Sequence, residues 1–131
     1  MAYRFEFDSV NKVLLLRVEG LFTDELLAQG QPVVRKHWAA TAPRAGIVDF
    51  SSVTEFAVSA EFIRQMAGQV LVVDATGSPI VFVAPAPAAF GLSRMFQILG
   101  DRKRPQLRVV HSLDEAFAAL DIQSPHFEPL E

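Results

Sequence analysis

Gly46-Ile47-Val48-Asp49-Phe50, followed by the hydroxyl-rich run Ser51-Ser52-Val53-Thr54-Glu55, is the segment on which the fold turns. Its first five residues are short, branched and mostly apolar, as expected for a strand covered on both faces in a parallel sheet. Pro43 marks the end of any helix before it. Ser59 stands ahead of Phe62, Ile63, Met66 and Ala67, which recur at helical spacing, so it reads as the N-cap of a helix. Residues 51 to 58 between them read as a polar loop at the end of the strand, where open α/β sheets bind ligands.

Upstream, Tyr3, Phe5 and Phe7 alternate with Arg4, Glu6 and Asp8, the period of a strand with one wet face. Ser9, Val10 and Asn11 form a short link to a more buried strand at residues 12 to 19, so the two pair as an antiparallel hairpin. Thr23 is placed to cap a helix over residues 24 to 40, with Asp24 and Glu25 at the positive end of its dipole. Leu26, Leu27, Val33, Val34, His37 and Trp38 keep its phase, and Pro32 predicts a kink.

Downstream, residues 80 to 84 form a fourth strand, and Val70 to Val73 are left as connection. Pro87 opens a third helix bearing Phe90, Leu92, Met95, Phe96, Ile98 and Leu99, which Gly100 closes. Residues 107 to 110 are a fifth strand, and the Ser112/Glu115 capping box starts a fourth helix over 113 to 120. The expected fold is one α/β domain over residues 1–121, with about five strands in a mixed sheet opened by a hairpin, and four principal helices. The tail, residues 122–131, holds Pro125 and Pro129 and is expected to be loosely ordered.

Composition narrows the function classes. The 131 residues contain no cysteine, which removes disulfides, thiolate metal sites and cysteine nucleophiles. A net charge of −3 argues against nucleic-acid binding. The uncharged stretch from Ala75 to Ser93 is broken by Gly77, Pro79, Pro85 and Pro87, so no membrane span is expected. The N-terminal alternation is unlike a secretory signal, which points to a cytoplasmic chain. His37, His111 and His126 lack metal-site spacing, so no metal or cofactor is expected. Ala75-Thr76-Gly77-Ser78-Pro79 lacks the lysine of a phosphate loop, and no Gly-x-Ser-x-Gly elbow exists, so no enzyme activity is expected.

Residues 46 to 63, together with Ala89-Phe-Gly-Leu-Ser-Arg-Met-Phe-Gln-Ile-Leu-Gly100, resemble the STAS domain of anti-sigma-factor antagonists and sulfate transporters. The nearest resemblance is to its SpoIIAA-like branch of small bacterial proteins, often grouped with the lipid-binding CRAL-TRIO fold. It spans about Tyr3 to Leu120 and implies a non-catalytic regulatory module that binds a protein partner. Signalling members carry Asp-Ser-Ser-Gly, whose first serine a partner kinase phosphorylates. That motif falls here on Ala57, Val58, Ser59 and Ala60, so the acceptor position has no hydroxyl.

The candidate partner or ligand surface is Ser51, Ser52, Thr54, Glu55, Ser59 and Glu61. Ser59, at a helix N-terminus, could receive phosphate but reads first as a plain cap, and the polar residues at 51, 52, 54 and 55 are as easily plain turn formers. Arg94, Arg102, Lys103 and Arg104 form a candidate anion-binding patch in an otherwise acidic chain. Eleven phenylalanines suggest an alternative function, binding of an apolar or lipid-like molecule between the sheet and the first or third helix. A protein partner is expected, with an apolar ligand or a second copy of the chain as further partners.

Overall fold

The computed structural model describes residues 3–71, 74 and 76–130. Strands β1 (Tyr3–Asp8) and β2 (Val13–Thr23) pair antiparallel, with Tyr3 opposite Val18 and Asp8 opposite Val13. Helix α1 (Asp24–Thr41) leads to β3 (Ala45–Ala57), and α2 (Ala60–Ala67) follows. β4 (Ile80–Val83), α3 (Pro87–Leu99), β5 (Leu107–Val110), α4 (Leu113–Ala119) and β6 (Glu128–Pro129) complete the order. The six strands lie in the order β5-β4-β3-β2-β1-β6, and β2 through β5 are parallel.

The hairpin, β1, β5 and the start of β3 fall where their patterns place them. Odd and even residues of β2 and β3 go to opposite faces of the sheet, because side chains alternate along a strand. Leu14, Leu16 and Val18 join Trp38, Ile63, Met66, Ala89 and Phe96 in the larger core beneath α1, α2 and α3. Val13, Leu15, Ile47, Val81 and Val83 face Ala116, Leu120 and Ile122 in the smaller core on the α4 side. Gly46 lets Trp38 onto the sheet, since a β-carbon there would stand 2.9 Å from the indole.

Two expectations are corrected. First, residues 51–57 are not a loop: β3 runs on to Ala57 and pairs with β2 up to Thr23. β4 accompanies β3 only as far as Asp49, so the remainder is a two-stranded ribbon projecting past the sheet. Register shifts on either side of Glu19 and Gly20, where Gly20 takes φ +76°, carry the strands through the bend that hid this pairing.

Second, residues 122–130 are held rather than loose. Ile122 is buried, Phe127 stacks on Phe117, and β6 pairs with β1. The buried Asp8 carboxylate accepts hydrogen bonds from the N–H groups of Val10, Asn11 and His126 and from the Asn11 side chain. Burial alone would raise its pKa, but these bonds outweigh it and hold the carboxyl below its ordinary range. Pro129 fits because β6 is an edge strand, and the neighbouring Leu130 N–H supplies the bond to Phe5 O.

α1 runs through Pro32 as one helix rather than ending there. Its start is capped by Thr23, whose hydroxyl accepts from the Leu26 N–H at 3.2 Å. The Tyr3 hydroxyl donates to the Leu26 carbonyl, and burial pushes its ionisation up to about 12, so it stays a neutral donor. Within the connection expected at 70–73, Val72 and Val73 lie outside the described residues.

Candidate functional site

Ser51, Ser52, Thr54 and Glu55 all stand exposed on the β3 ribbon, and α2 begins directly beyond it. Their hydroxyls and carboxylate are presented by a strand, which fixes their spacing more firmly than a loop would. Ser51 is partly committed: its N–H and its hydroxyl both donate to Asp49 Oδ1. Asp49 is itself 3 % exposed and pairs through Oδ2 with Arg17 at 3.2 Å, and Arg17 pairs with Glu6 at 2.7 Å. This Glu6–Arg17–Asp49 line, crossing β1, β2 and β3, escapes a sequence reading because only strand register brings the three together.

Ser59 caps α2 by accepting from the Phe62 N–H at 3.1 Å. It also donates its hydroxyl to Asp24 Oδ2 at 2.8 Å and its N–H to Asp24 Oδ1 at 2.8 Å. One carboxylate at the start of α1 thus fastens the start of α2. Val58, just before this cap, is 5 % exposed and belongs to the larger core. Glu61 is exposed and paired with Arg64 on the same helix at 3.1 Å.

The basic patch does not assemble as expected. Arg104 is 2 % exposed, and Asp74 holds it at 3.1 Å, so it is not available to a soluble anion. Its remaining donors satisfy Ala67 O and Gln69 O at the end of α2, and its guanidinium lies over the Phe96 ring. Burial of this arginine is tolerable because every face of it finds a partner. Arg102 and Lys103 are exposed beside Ile98 and Leu99 in a shallow depression, and Arg94 bonds Gln97 along α3.

The histidines are dispersed: His37 stacks on Phe5, His111 on Phe90, and His126 pairs with Glu128. Burial and then Lys36 lower the His37 pKa, which favours its neutral form. Among the described residues no three His, Asp or Glu side chains are grouped to hold a metal ion, and no helix is long and apolar enough to cross a membrane. A cavity of about 150 Å³ lies between the sheet and α1, α2 and α3, lined by Phe22, Phe50, Phe82, Leu92 and Phe96 among others.

A mixed sheet opened by a hairpin, three helices over one face and a fourth on the other, with α2 starting at a capping serine after β3, defines a SpoIIAA-like STAS fold. The solved structure of the anti-sigma factor antagonist SpoIIAA in its unphosphorylated form aligns with a TM-score of 0.60, covering 92 % of this chain and 98 % of that one. Sequence identity over the match is 13 %, so the likeness is one of fold. No protein-family model matches the sequence, and no curated protein matches it.

Proposed function

We propose that this chain is a non-catalytic regulatory module of STAS type that works by binding a protein partner through the β3 ribbon and the start of α2. The observation that carries the reading is that Ser52, Thr54, Glu55 and Glu61 are all exposed on the β3 ribbon and the start of α2, on either side of the Ser59–Asp24 junction. The likeness in fold to the anti-sigma factor antagonist SpoIIAA supports it. A cytoplasmic bacterial setting suits the cysteine-free composition.

This module would not use the family's phosphorylation switch. Val58 has no hydroxyl and is buried, and a phosphate on Ser59 would set a second negative group against Asp24 where the hydroxyl now donates to it. A quantitative pull-down from host extract tests the interface, comparing the native chain with a Glu55→Arg/Glu61→Arg variant. Specific partners should be lost, with affinity falling roughly tenfold or more for a rim that meets a complementary charge. Retention of every partner at unchanged affinity would move the interface elsewhere on the molecule.

A second reading, a binder of an apolar or lipid-like molecule, is favoured by the cavity under α1, α2 and α3. Native mass spectrometry of the chain purified from bacteria tests it, since a binder retains an adduct that a pure protein-interaction module does not.

A further inference from the structure

The cavity arises from how the helices divide the sheet. α1 packs on β1 and β2, whereas α3 packs on β3, β5 and α2, so a gap remains between α1 and the α2–α3 pair. Its lining is nearly all carbon. The rings of Phe22, Phe50, Phe56, Phe82 and Phe96 line it as a connected series, with centroids 5.6 Å apart for Phe22 and Phe50, 5.3 Å for Phe50 and Phe56, 5.8 Å for Phe50 and Phe82, and 5.8 Å for Phe82 and Phe96. Such spacings are those at which aromatic rings attract by edge and face.

The polar side chains on the lining are otherwise engaged. Tyr3 donates to Leu26 O, Gln31 to Leu27 O at 3.4 Å, and Arg104 is bound by Asp74. Ser93, on α3, is the exception: it is 3 % exposed and lines the cavity, and no hydrogen bond among the described residues involves its hydroxyl. With few polar groups on so apolar a lining, the space favours a molecule that is apolar apart from one group.

We propose that this cavity is a binding site for a single-ring aromatic molecule carrying one hydrogen-bonding group, with the ring among the phenylalanines and the group on the Ser93 hydroxyl. The proposal rests on the second reading above and narrows it. A volume of about 150 Å³ is that of a cavity which takes a benzene-sized guest, and it is too small for a whole acyl chain.

Calorimetric titration of the full chain with toluene and with p-cresol tests the site, alongside native mass spectrometry of the chain as purified. Both probes should bind saturably at one per chain, p-cresol roughly three- to tenfold more tightly by virtue of one hydrogen bond. Ser93→Ala should erase that preference and leave toluene binding intact, and Leu92→Trp, which fills the space, should abolish both. Should Leu92→Trp fail to fold, the Ser93→Ala comparison decides alone. Equal affinity of the native chain for both probes, or a preference that survives Ser93→Ala, overturns the serine anchor. A retained long-chain lipid with no binding of either probe overturns the single-ring site but upholds an apolar binder. Absence of both probe binding and any retained adduct overturns the two together.

Discussion

Along β3 the chain changes character at Asp49. Residues 45 to 49 lie between β2 and β4 and contribute Ala45, Ile47 and Asp49 to the α4 side of the sheet, all nearly sealed from solvent. Residues 50 to 57 keep only β2 as a neighbour, and Ser51, Ser52, Thr54, Glu55 and Ala57 are exposed. The first half is sealed between two strands, whereas the second is held by pairing with β2 and by Phe50, Val53 and Phe56 on the core, with its polar residues left in solvent. A single strand can thus provide both the centre of the fold and the surface assigned here to recognition.

The largest effect that would test this contrast is on the packed half. Ile47→Ala should cost about 2 to 5 kcal/mol in chemical denaturation, because Ile47 is 1 % exposed and its removal leaves a cavity between β3 and α4. A cost below 1 kcal/mol would mean the smaller core is not close-packed.

Next comes the anchor of the packed end. Asp8→Ala leaves the N–H groups of Val10, Asn11 and His126 without their acceptor and should cost about 2 kcal/mol. The same carboxylate makes that end pH-sensitive. Its folded-state pKa lies below the ordinary 3.8 of the unfolded chain, so its contribution is fully present above that value and is lost as pH falls through the folded pKa. Acid denaturation of the native chain should therefore lose more stability below pH 3.8 than does Asp8→Asn, and parallel stability profiles would remove Asp8 from the account.

Ser59→Ala should cost about 1 kcal/mol as the loss of a cap, and Asp24→Ala a similar amount. Since both changes break the same contacts, a double-mutant cycle should show coupling of about 0.5 kcal/mol or more. Additive costs would show that the two helix starts are independent. Smallest of all, Thr54→Ala and Glu55→Arg on the ribbon should each shift stability by no more than about 0.5 kcal/mol. A larger loss from either would show that the ribbon is a folding element rather than a display surface.

The same contrast explains what the sequence made legible. The packed half of β3, the alternating β1 and the caps at Thr23, Ser59 and Ser112 carry local signals, and each is found where it was read. The ribbon is hidden because Ser51, Ser52 and Thr54 are ordinary turn residues, and only distant Glu19 to Thr23 make them a strand. Arg104 is hidden for a related reason. It sits in a run with Arg102 and Lys103 that looks uniformly solvated, while its partners, Asp74 and the last carbonyls of α2, come from about thirty residues earlier. Ser93 gives no signal at all, since a serine inside an apolar helix shows its isolation only once the helices around it are placed.

The tail of β6 has a consequence for how the chain behaves in concentrated solution. A sheet's outer strands are where foreign strands add and aggregates seed, and proteins guard them with prolines and charges. Here Pro129 interrupts β6 on one margin and the exposed Arg108 marks β5 on the other. Removing residues 127 to 131 would bare β1 instead, a regular six-residue strand carrying Tyr3, Phe5 and Phe7 with no proline of its own. Residues 128 to 130 thus shield the Phe5 to Phe7 stretch of β1, and their removal should raise the tendency of copies to add edge to edge.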